Sequence, residues 1–107
     1  MVGKLFKIVF SRDARKKLRK ISDYHKENTS DTVAKKVRDG LVTEAKSLKK
    51  LPSSKPLLQT KKEADPPYRY TIKWSFKIIF QIFKKKDTVS IVEFMHDKEN
   101  PKKWENL

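Results

Sequence analysis

The stretch YRYTIKWSFKIIFQIFKKKDTVSIVEFMH, residues 68–96, decides the fold of this chain. Apolar and polar side chains alternate along it in three runs, near residues 68–74, 76–83 and 89–96. Alternation with a period of two is typical of β-strands. The segment Lys84–Asp87 is polar and short, as a turn between two strands would be. Three consecutive strands joined by short turns predict an antiparallel meander.

The aromatic residues suggest a register for the first two strands. A slip of one residue would turn every side chain to the other face of the sheet. If the aromatic and aliphatic residues share one face, Tyr70 pairs with Phe80 and Ile72 pairs with Ile78. The Tyr and Trp side chains are then expected to pack as core beneath the helices. This register also predicts one cationic sheet face, made of Arg69, Thr71, Lys73, Lys77 and Gln81.

The N-terminal half predicts a strand followed by two helices. Residues 5–10 are almost all apolar or aromatic, which favours a strand buried on both faces. Ser11 and Ser30 are each placed to cap a following helix. The apolar stripes of the two helices are Ala14, Leu18, Ile21 and His25, then Ala34, Val37, Leu41, Ala45 and Leu48. The short connection predicts an antiparallel helical hairpin.

Three further features complete the predicted architecture. Gly40 interrupts the second helix at a cost of about 1 kcal/mol relative to Ala, which close packing against the first helix would explain. Leu51-Pro52 ends that helix, and residues 53–67 predict a long loop with an edge strand near Leu57 and Leu58. The tail predicts a short C-terminal helix that docks Trp104. The fold class is therefore α+β, with one domain over residues 1–107.

Charge is the strongest compositional signal. The 107 residues carry a formal net charge of +14, with 37% charged residues and a mean hydropathy of -0.78. A field of this sign attracts nucleic acid, acidic proteins or anionic membranes. No apolar run approaches the roughly 18 residues of a membrane span, so we expect no membrane partner. The absence of cysteine excludes disulfides and thiolate sites and is compatible with a reducing cytoplasm.

The sequence offers few groups for catalysis. His25 lies on an amphipathic stripe and is expected to pack or face solvent, whereas His96 ends the last strand beside a basic tail. Two histidines without cysteines or clustered ligands predict no metal site. The two glycines, Gly3 and Gly40, cannot build a glycine-rich phosphate loop, and we expect no cofactor. The basic run 12–20 is expected to be the solvated face of the first helix, and its alternative is a contact for a polyanion.

In the order of its elements and in several short motifs, the whole chain resembles the RelE/ParE superfamily of type II toxin–antitoxin toxins, which includes plasmid stabilization proteins. The motifs that carry the resemblance are Ile21-Ser-Asp-Tyr24, Leu48-x-x-Leu51-Pro52, Tyr68-Arg69, Phe76-Lys77-Ile78-Ile79-Phe80 and Asn100-Pro101-Lys102-Lys103. The resemblance implies a growth-inhibiting toxin that an acidic antitoxin wraps and silences. RelE-like members cut mRNA on the ribosome, and ParE-like members poison DNA gyrase.

The resemblance also implies candidate site residues. Arg69 matches the arginine that commonly opens the family's second strand, and Lys77 falls where members often have arginine. Lys98 falls near the arginine that often precedes the Asn-Pro tail, and His96 is a weaker catalytic candidate. Lysine offers a point charge instead of the planar fork of arginine. The terminal tyrosine of many RNA-cutting members is absent, and Trp104, the nearest aromatic residue, has no hydroxyl for acid–base work. For binding nucleic acid or a protein target, the candidates are Arg69, Lys73, Lys77, Gln81, Lys102 and Lys103.

Three hypotheses follow. The first, which these substitutions favour, is a ParE-like toxin that inhibits DNA gyrase by binding. The second is a RelE-like endoribonuclease in which Arg69, Lys77 and Lys98 stabilise charge on the phosphate. The third is a non-toxic basic protein that binds nucleic acid. Growth on induced expression separates the third from the first two, and analysis of cellular mRNA ends separates the first from the second.

Overall fold

The computed structural model describes residues 5–59 and 63–97. In chain order it contains β1 (Lys7–Phe10), α1 (Arg12–Asn28), α2 (Asp31–Lys46), 3₁₀ turns at Ser47–Lys49 and Pro52–Ser54, β2 (Arg69–Lys73), β3 (Phe76–Phe83), a 3₁₀ turn at Lys84–Lys86 and β4 (Thr88–His96). This order confirms the predicted α+β architecture of strand, helical hairpin and three-stranded meander. The predicted C-terminal helix, with Lys98, Lys102, Lys103 and Trp104, lies outside the described residues. No helix in the described ranges is long and apolar enough to cross a membrane.

The four strands form one sheet in the order β1-β4-β3-β2. The meander β2-β3-β4 is antiparallel, and β1 joins its far edge parallel to β4. The helical hairpin covers one face of this sheet. The main core lies between the two layers and includes Ile21, Leu41 and Leu48 from the helical side and Ile78, Phe80, Ile91 and Phe94 from the sheet. This arrangement leaves the other face of the sheet turned away from the helices.

A second, smaller apolar cluster lies on that other face. Its buried members are Ile79 of β3 and Met95 of β4, and the partly buried Leu58, Tyr68, Tyr70 and Val92 pack against them. The loop before β2 reaches this cluster because it runs beside the strand. Leu58 N–H donates to the Tyr68 carbonyl at 2.8 Å, and Leu57 forms an isolated bridge with Arg69. The expected edge strand near Leu57 and Leu58 is thus reduced to this bridge.

The predicted burial of β1 on both faces is wrong. Along β1 exposed and half-buried residues alternate, so that Ile8 and Phe10 pack on the main core while Lys7 and Val9 are exposed. The strand is short and lies at the sheet edge, where the helices cover only one of its faces. Its many apolar residues therefore do not all enter the core.

The predicted register of the β2-β3 hairpin is also wrong, by one residue. Tyr70 pairs with Ile79, Thr71 with Ile78 and Ile72 with Lys77. The pairing of Lys73 with Phe76 leaves a two-residue loop, Trp74-Ser75, and tight loops of this length are the commonest hairpin connections. The predicted register would have required a different loop. Loop geometry, not the alternation of aromatic residues, therefore sets the pairing.

The register has a direct consequence for the aromatic residues of the meander. Tyr68 and Tyr70 lie in the small cluster on the face away from the helices, and Trp74 is 50% exposed in the hairpin loop. The expectation that these residues form core beneath the helical hairpin is wrong. That role belongs to Phe76, Phe80 and Phe94, which are buried in the main core.

Both predicted helix caps are present, and they differ in what else they bind. Ser11 Oγ accepts a hydrogen bond from Ala14 N–H at 3.0 Å and donates one to the Val92 carbonyl of β4 at 3.0 Å. Ser30 Oγ accepts from Val33 N–H at 3.2 Å. Ser11 therefore caps α1 and also connects its start to the sheet.

This difference predicts unequal effects of two matched substitutions. Ser11→Ala removes a cap and also leaves the Val92 carbonyl without its hydroxyl donor, so we expect a loss of about 2 kcal/mol in the free energy of unfolding. Ser30→Ala removes a cap alone and should cost about 1 kcal/mol. Chemical denaturation of both variants measures the difference. Equal losses would contradict a structural role for the bond to β4.

Candidate functional site

The residues predicted to form one cationic face do not share a face. Residues paired across neighbouring strands have side chains on the same side of a sheet. Arg69, Thr71 and Lys73 pair with Phe80, Ile78 and Phe76, which face the helices. By contrast, Lys77 pairs with Ile72, and Gln81 lies two residues beyond Ile79 on the far side. The correct register therefore divides the predicted cationic face between the two sides of the sheet.

Arg69 and Gln81 are both bound to the loop that precedes β2. Arg69 Nη1 donates to the carbonyls of Lys55 at 2.6 Å and Ser53 at 3.2 Å. Gln81 Nε2 donates to the Pro66 carbonyl at 2.8 Å. These bonds attach the two ends of the loop to the sheet, so both side chains have a structural task.

The two lysines of the hairpin lie over aromatic rings. Lys77 Nζ is 5.0 Å from the centre of the Tyr70 ring, and Lys73 Nζ is 4.8 Å from the centre of the Trp74 ring. A cation over the face of an aromatic ring is attracted by the ring quadrupole. Each lysine is therefore held near its own side of the hairpin. Thr71, the remaining member of the predicted face, is buried and its hydroxyl donates to Glu44 of α2 at 3.1 Å.

His96 lies at the end of β4, next to the hairpin loop. Its ring packs edge-on against Phe76 with 5.0 Å between ring centres, and its Nδ1 is 3.1 Å from Asp97 Oδ1. Arg69 pairs with Phe80, further along β3, and Lys77 projects from the other face. The three described catalytic candidates, Arg69, Lys77 and His96, are thus not brought together around a common point.

What the structure does assemble is a groove between the helices and the β2-β3 hairpin loop, which we call the hairpin groove. Its volume is about 940 Å³. One stripe of α1 forms a wall, and the loop and the end of β4 form the opposite side. The residues lining it are Asp13, Lys16, Lys17, Lys20, Ile21, Tyr24, His25, Lys36, Val37, Trp74, Ser75, Phe76, Glu93 and His96.

The lining of the hairpin groove combines positive charge with exposed aromatic surface. Four lysines face two carboxylates there, which leaves the groove basic. Tyr24 and Trp74 are 62% and 50% exposed, although large aromatic side chains usually bury most of their surface. Such a surface suits a partner that brings carboxylates together with apolar side chains. Among residues 5–59 and 63–97, no cluster of histidine and acidic side chains could hold a metal ion.

Trp74 occupies its place in the groove through an unusual backbone conformation. Its φ angle is 54°, in the left-handed region that bulky residues seldom adopt. Tight two-residue hairpin loops require a positive φ, which glycine or asparagine usually supplies. Residues held in such sparsely populated backbone conformations cluster at functional sites.

Gly40 of α2 makes room for the indole ring of Trp74. A Cβ atom added at Gly40 would lie 2.1 Å from Trp74 Cη2 and 2.8 Å from Cζ3. The expectation that Gly40 packs against α1 is therefore wrong, because the close approach is to the hairpin loop. The sequence gives one signal for this contact, a glycine inside a helix, because its alternation places Trp74 at the end of a strand. That glycine does not indicate the hairpin loop as its partner.

Comparison with known proteins adds two findings. Residues 8–101 match the family described as the ParE toxin of the type II toxin-antitoxin system, parDE. A solved structure described as the chromosomal ParDE toxin–antitoxin system from P. aeruginosa superimposes with a TM-score of 0.69 at 18% sequence identity, covering 88% of this chain and 98% of that chain. At that identity the similarity shows a shared fold. None of the curated protein sequences matches the chain significantly.

The contact between Gly40 and Trp74 predicts a coupled response to substitution. In a Trp74→Ala background, Gly40→Ala should stabilise the protein by about 1 kcal/mol, which is the helix propensity gained. With Trp74 present, the added methyl group displaces the indole, so that gain should vanish or become a loss. Chemical denaturation of the four proteins gives the coupling free energy.

Fluorescence provides the second measurement for this prediction. In a Trp104→Phe background Trp74 is the sole tryptophan, and Gly40→Ala should make its emission more accessible to a soluble quencher. Additive stabilities together with unchanged quenching would show that the indole does not rest on Gly40.

Proposed function

Because the chain belongs to the ParE toxin family of type II toxin–antitoxin systems, we propose that it inhibits cell growth by binding DNA gyrase in the cytoplasm. The observation that carries the choice of binding over catalysis is the separation of the three catalytic candidates that lie in the described part of the chain. Arg69 is bonded to loop carbonyls, Lys77 lies on the far face of the sheet, and His96 lies beside the hairpin groove. A phosphate could not meet all three at once.

An endoribonuclease of the RelE type would need a different arrangement. Cleavage of RNA requires an acid, a base and a cation within hydrogen-bond reach of the same phosphodiester. Of the described candidates, Arg69 and Lys77 lie on opposite faces of the sheet and His96 packs against Phe76 at its end, so they do not surround one phosphodiester. This arrangement supports inhibition by occupation of a protein surface, and inhibition of gyrase is the form of it that the family resemblance implies.

We propose that the hairpin groove receives the antitoxin. An acidic segment with apolar side chains would match the groove in both respects, because its carboxylates meet lysines and its apolar residues meet Tyr24 and Trp74. Exposed aromatic side chains of this kind are common as anchors of protein interfaces. The opposite charges of the two surfaces would also speed the association of the two proteins.

The proposed target predicts a specific pattern of inhibition. Purified gyrase should lose supercoiling activity as the chain is added, and the antitoxin should restore it. Induced expression should stop growth while cellular mRNA keeps its normal 5′ ends. New discrete 5′ ends in mRNA, with supercoiling unaffected, would contradict the proposal and support the endoribonuclease. Normal growth on expression would favour the non-toxic nucleic-acid-binding protein.

If the antitoxin binds the hairpin groove, charge reversal should weaken its binding more on the side of α1 that lines the groove than on the side that does not. Lys16→Glu with Lys20→Glu reverses two charges in the groove and should weaken antitoxin binding by about 10- to 30-fold. Arg15→Glu with Arg19→Glu makes the same change of net charge on the same helix, at exposed positions outside the groove. This control should weaken binding by less than about threefold. Titration calorimetry measures both.

A second pair of variants tests the apolar part of the groove. Trp74→Ala removes an exposed side chain from the groove, and Ile72→Ala removes one of similar exposure from the far face. Only the first should weaken antitoxin binding. Equal losses from both members of either pair would place the antitoxin elsewhere on the protein.

A further inference from the structure

A second groove lies at the other end of β3, where the turn before β4 faces the loop before β2. We call it the lysine-turn groove. Its volume is about 590 Å³, and its lining includes Arg69, Lys84, Lys85 and Lys86 on walls formed by Pro66 and Phe83. We infer that this groove binds the phosphodiester backbone of a nucleic acid. The inference concerns a surface outside the groove that we propose for the antitoxin.

The three lysines of the turn are available to an anionic ligand. They form one 3₁₀ turn and are all exposed. Over residues 5–59 and 63–97, no carboxylate forms an ion pair with Lys84, Lys85 or Lys86. Asp65 also lines the groove, so that four cations face one carboxylate there. A cluster of this kind binds phosphates by releasing counterions from the nucleic acid.

Arg69 adds to these lysines a cation that hydrogen bonds hold in place. Both of its bonds to loop carbonyls come from Nη1, which holds the guanidinium group at the wall of the groove. Its Nη2 and Nε atoms carry further N–H donors, and a guanidinium presents such donors to phosphate in a planar fork. The same bonds that attach the loop therefore orient a phosphate ligand.

The chemistry of the lining favours a phosphate backbone over an acidic protein. Protein interfaces are anchored by apolar and aromatic side chains that become buried. Of the large hydrophobic residues that are exposed in the described part of the chain, Tyr24 and Trp74 line the hairpin groove and none lines the lysine-turn groove. Phosphate contacts need cations and no such anchors.

The two grooves are far enough apart to act separately. Trp74 and Ser75 precede β3, and Lys84–Lys86 follow it, so the grooves lie at opposite ends of an eight-residue strand. At about 3.3 Å per residue, this strand separates them by roughly 25 Å. They share no lining residue. Substitutions in one groove can therefore be tested without contact with the other.

The test measures binding of the purified chain to duplex DNA of about 20 base pairs and to single-stranded RNA of equal length, over a series of salt concentrations. The test variant carries Lys84→Gln, Lys85→Gln and Lys86→Gln. The control variant carries Arg15→Gln, Arg19→Gln and Lys26→Gln, which remove the same charge from exposed positions on α1 outside both grooves. Circular dichroism confirms that both variants keep the fold.

We expect the test variant to lose about tenfold or more in affinity near 0.1 M salt. The slope of log affinity against log salt concentration should become shallower by the equivalent of about two to three phosphate contacts. The control variant should lose less than about threefold in affinity and keep the same dependence of affinity on salt. Whichever nucleic acid binds more tightly identifies the backbone that the groove accepts. Equal losses in both variants would overturn the inference, since they would reflect net charge alone.

Polyglutamate of equal charge is the second control. It should bind more weakly than either nucleic acid, and the three Lys→Gln changes should affect it less. If polyglutamate binds as tightly as nucleic acid and depends equally on Lys84–Lys86, the groove accepts an acidic protein and the inference is wrong. Because the measurement contains neither gyrase nor antitoxin, its result does not depend on the proposed toxin target.

Discussion

Burial of β3 on both faces is the constraint on which the rest of the structure depends. Towards the helices, Phe76, Ile78, Phe80 and Ile82 enter the main core, while Ile79 forms the centre of the small cluster on the other face. A slip of one residue would move this apolar row out of the main core and bring Lys77 and Gln81 into it. Its neighbours β2 and β4 are placed by pairing with it, and β1 is placed by β4. The helical hairpin then covers the face that offers the larger apolar surface.

Two surfaces of different chemistry lie at the two ends of β3. At its start, the Trp74-Ser75 loop rests on Gly40 and completes a groove with basic and aromatic walls. At its end, the turn Lys84–Lys86 faces Arg69 across a groove without an exposed aromatic anchor among the described residues. The net charge of +14 is therefore not one uniform field. Part of it lies in two separate clusters, one beside exposed aromatic side chains and one without them.

The sequence predicts the order of elements and both helix caps because these depend on local patterns. Alternation of apolar residues reveals β2 to β4, and Ser11 and Ser30 mark the helix starts. The parallel pairing of β1 with β4 is tertiary and has no local signal. The predicted register is wrong because it places Tyr70 with Phe80 in the main core, whereas Tyr68 and Tyr70 pack in the small cluster on the far face. The loop Trp74-Ser75 decides the register, although the positive φ of Trp74 is one that tryptophan seldom adopts.

The candidate site was predictable only in part. The basic stripe of α1 is evident in the sequence. That it lines a groove is not, because the groove forms only where the hairpin loop packs beside the helices. Arg69 and Gln81 were expected to face a target, but their side chains bind loop carbonyls, which no spacing in the sequence indicates. The sequence marks Lys84–Lys86 only as a turn. Its proximity to Arg69 follows from the correct pairing of β2 with β3.

The most direct test of this division of the surface is an NMR titration of the isotope-labelled chain, with the antitoxin in one series and duplex DNA in another. We expect the antitoxin to shift the NMR signals of the Trp74 indole and the Ser75 amide and to leave the amide signals of Lys84–Lys86 unchanged. Duplex DNA should instead shift the amides of Lys84–Lys86 and leave the Trp74 indole unchanged. Perturbation of one common set of residues by both ligands would contradict the account, since it would show a single cationic surface.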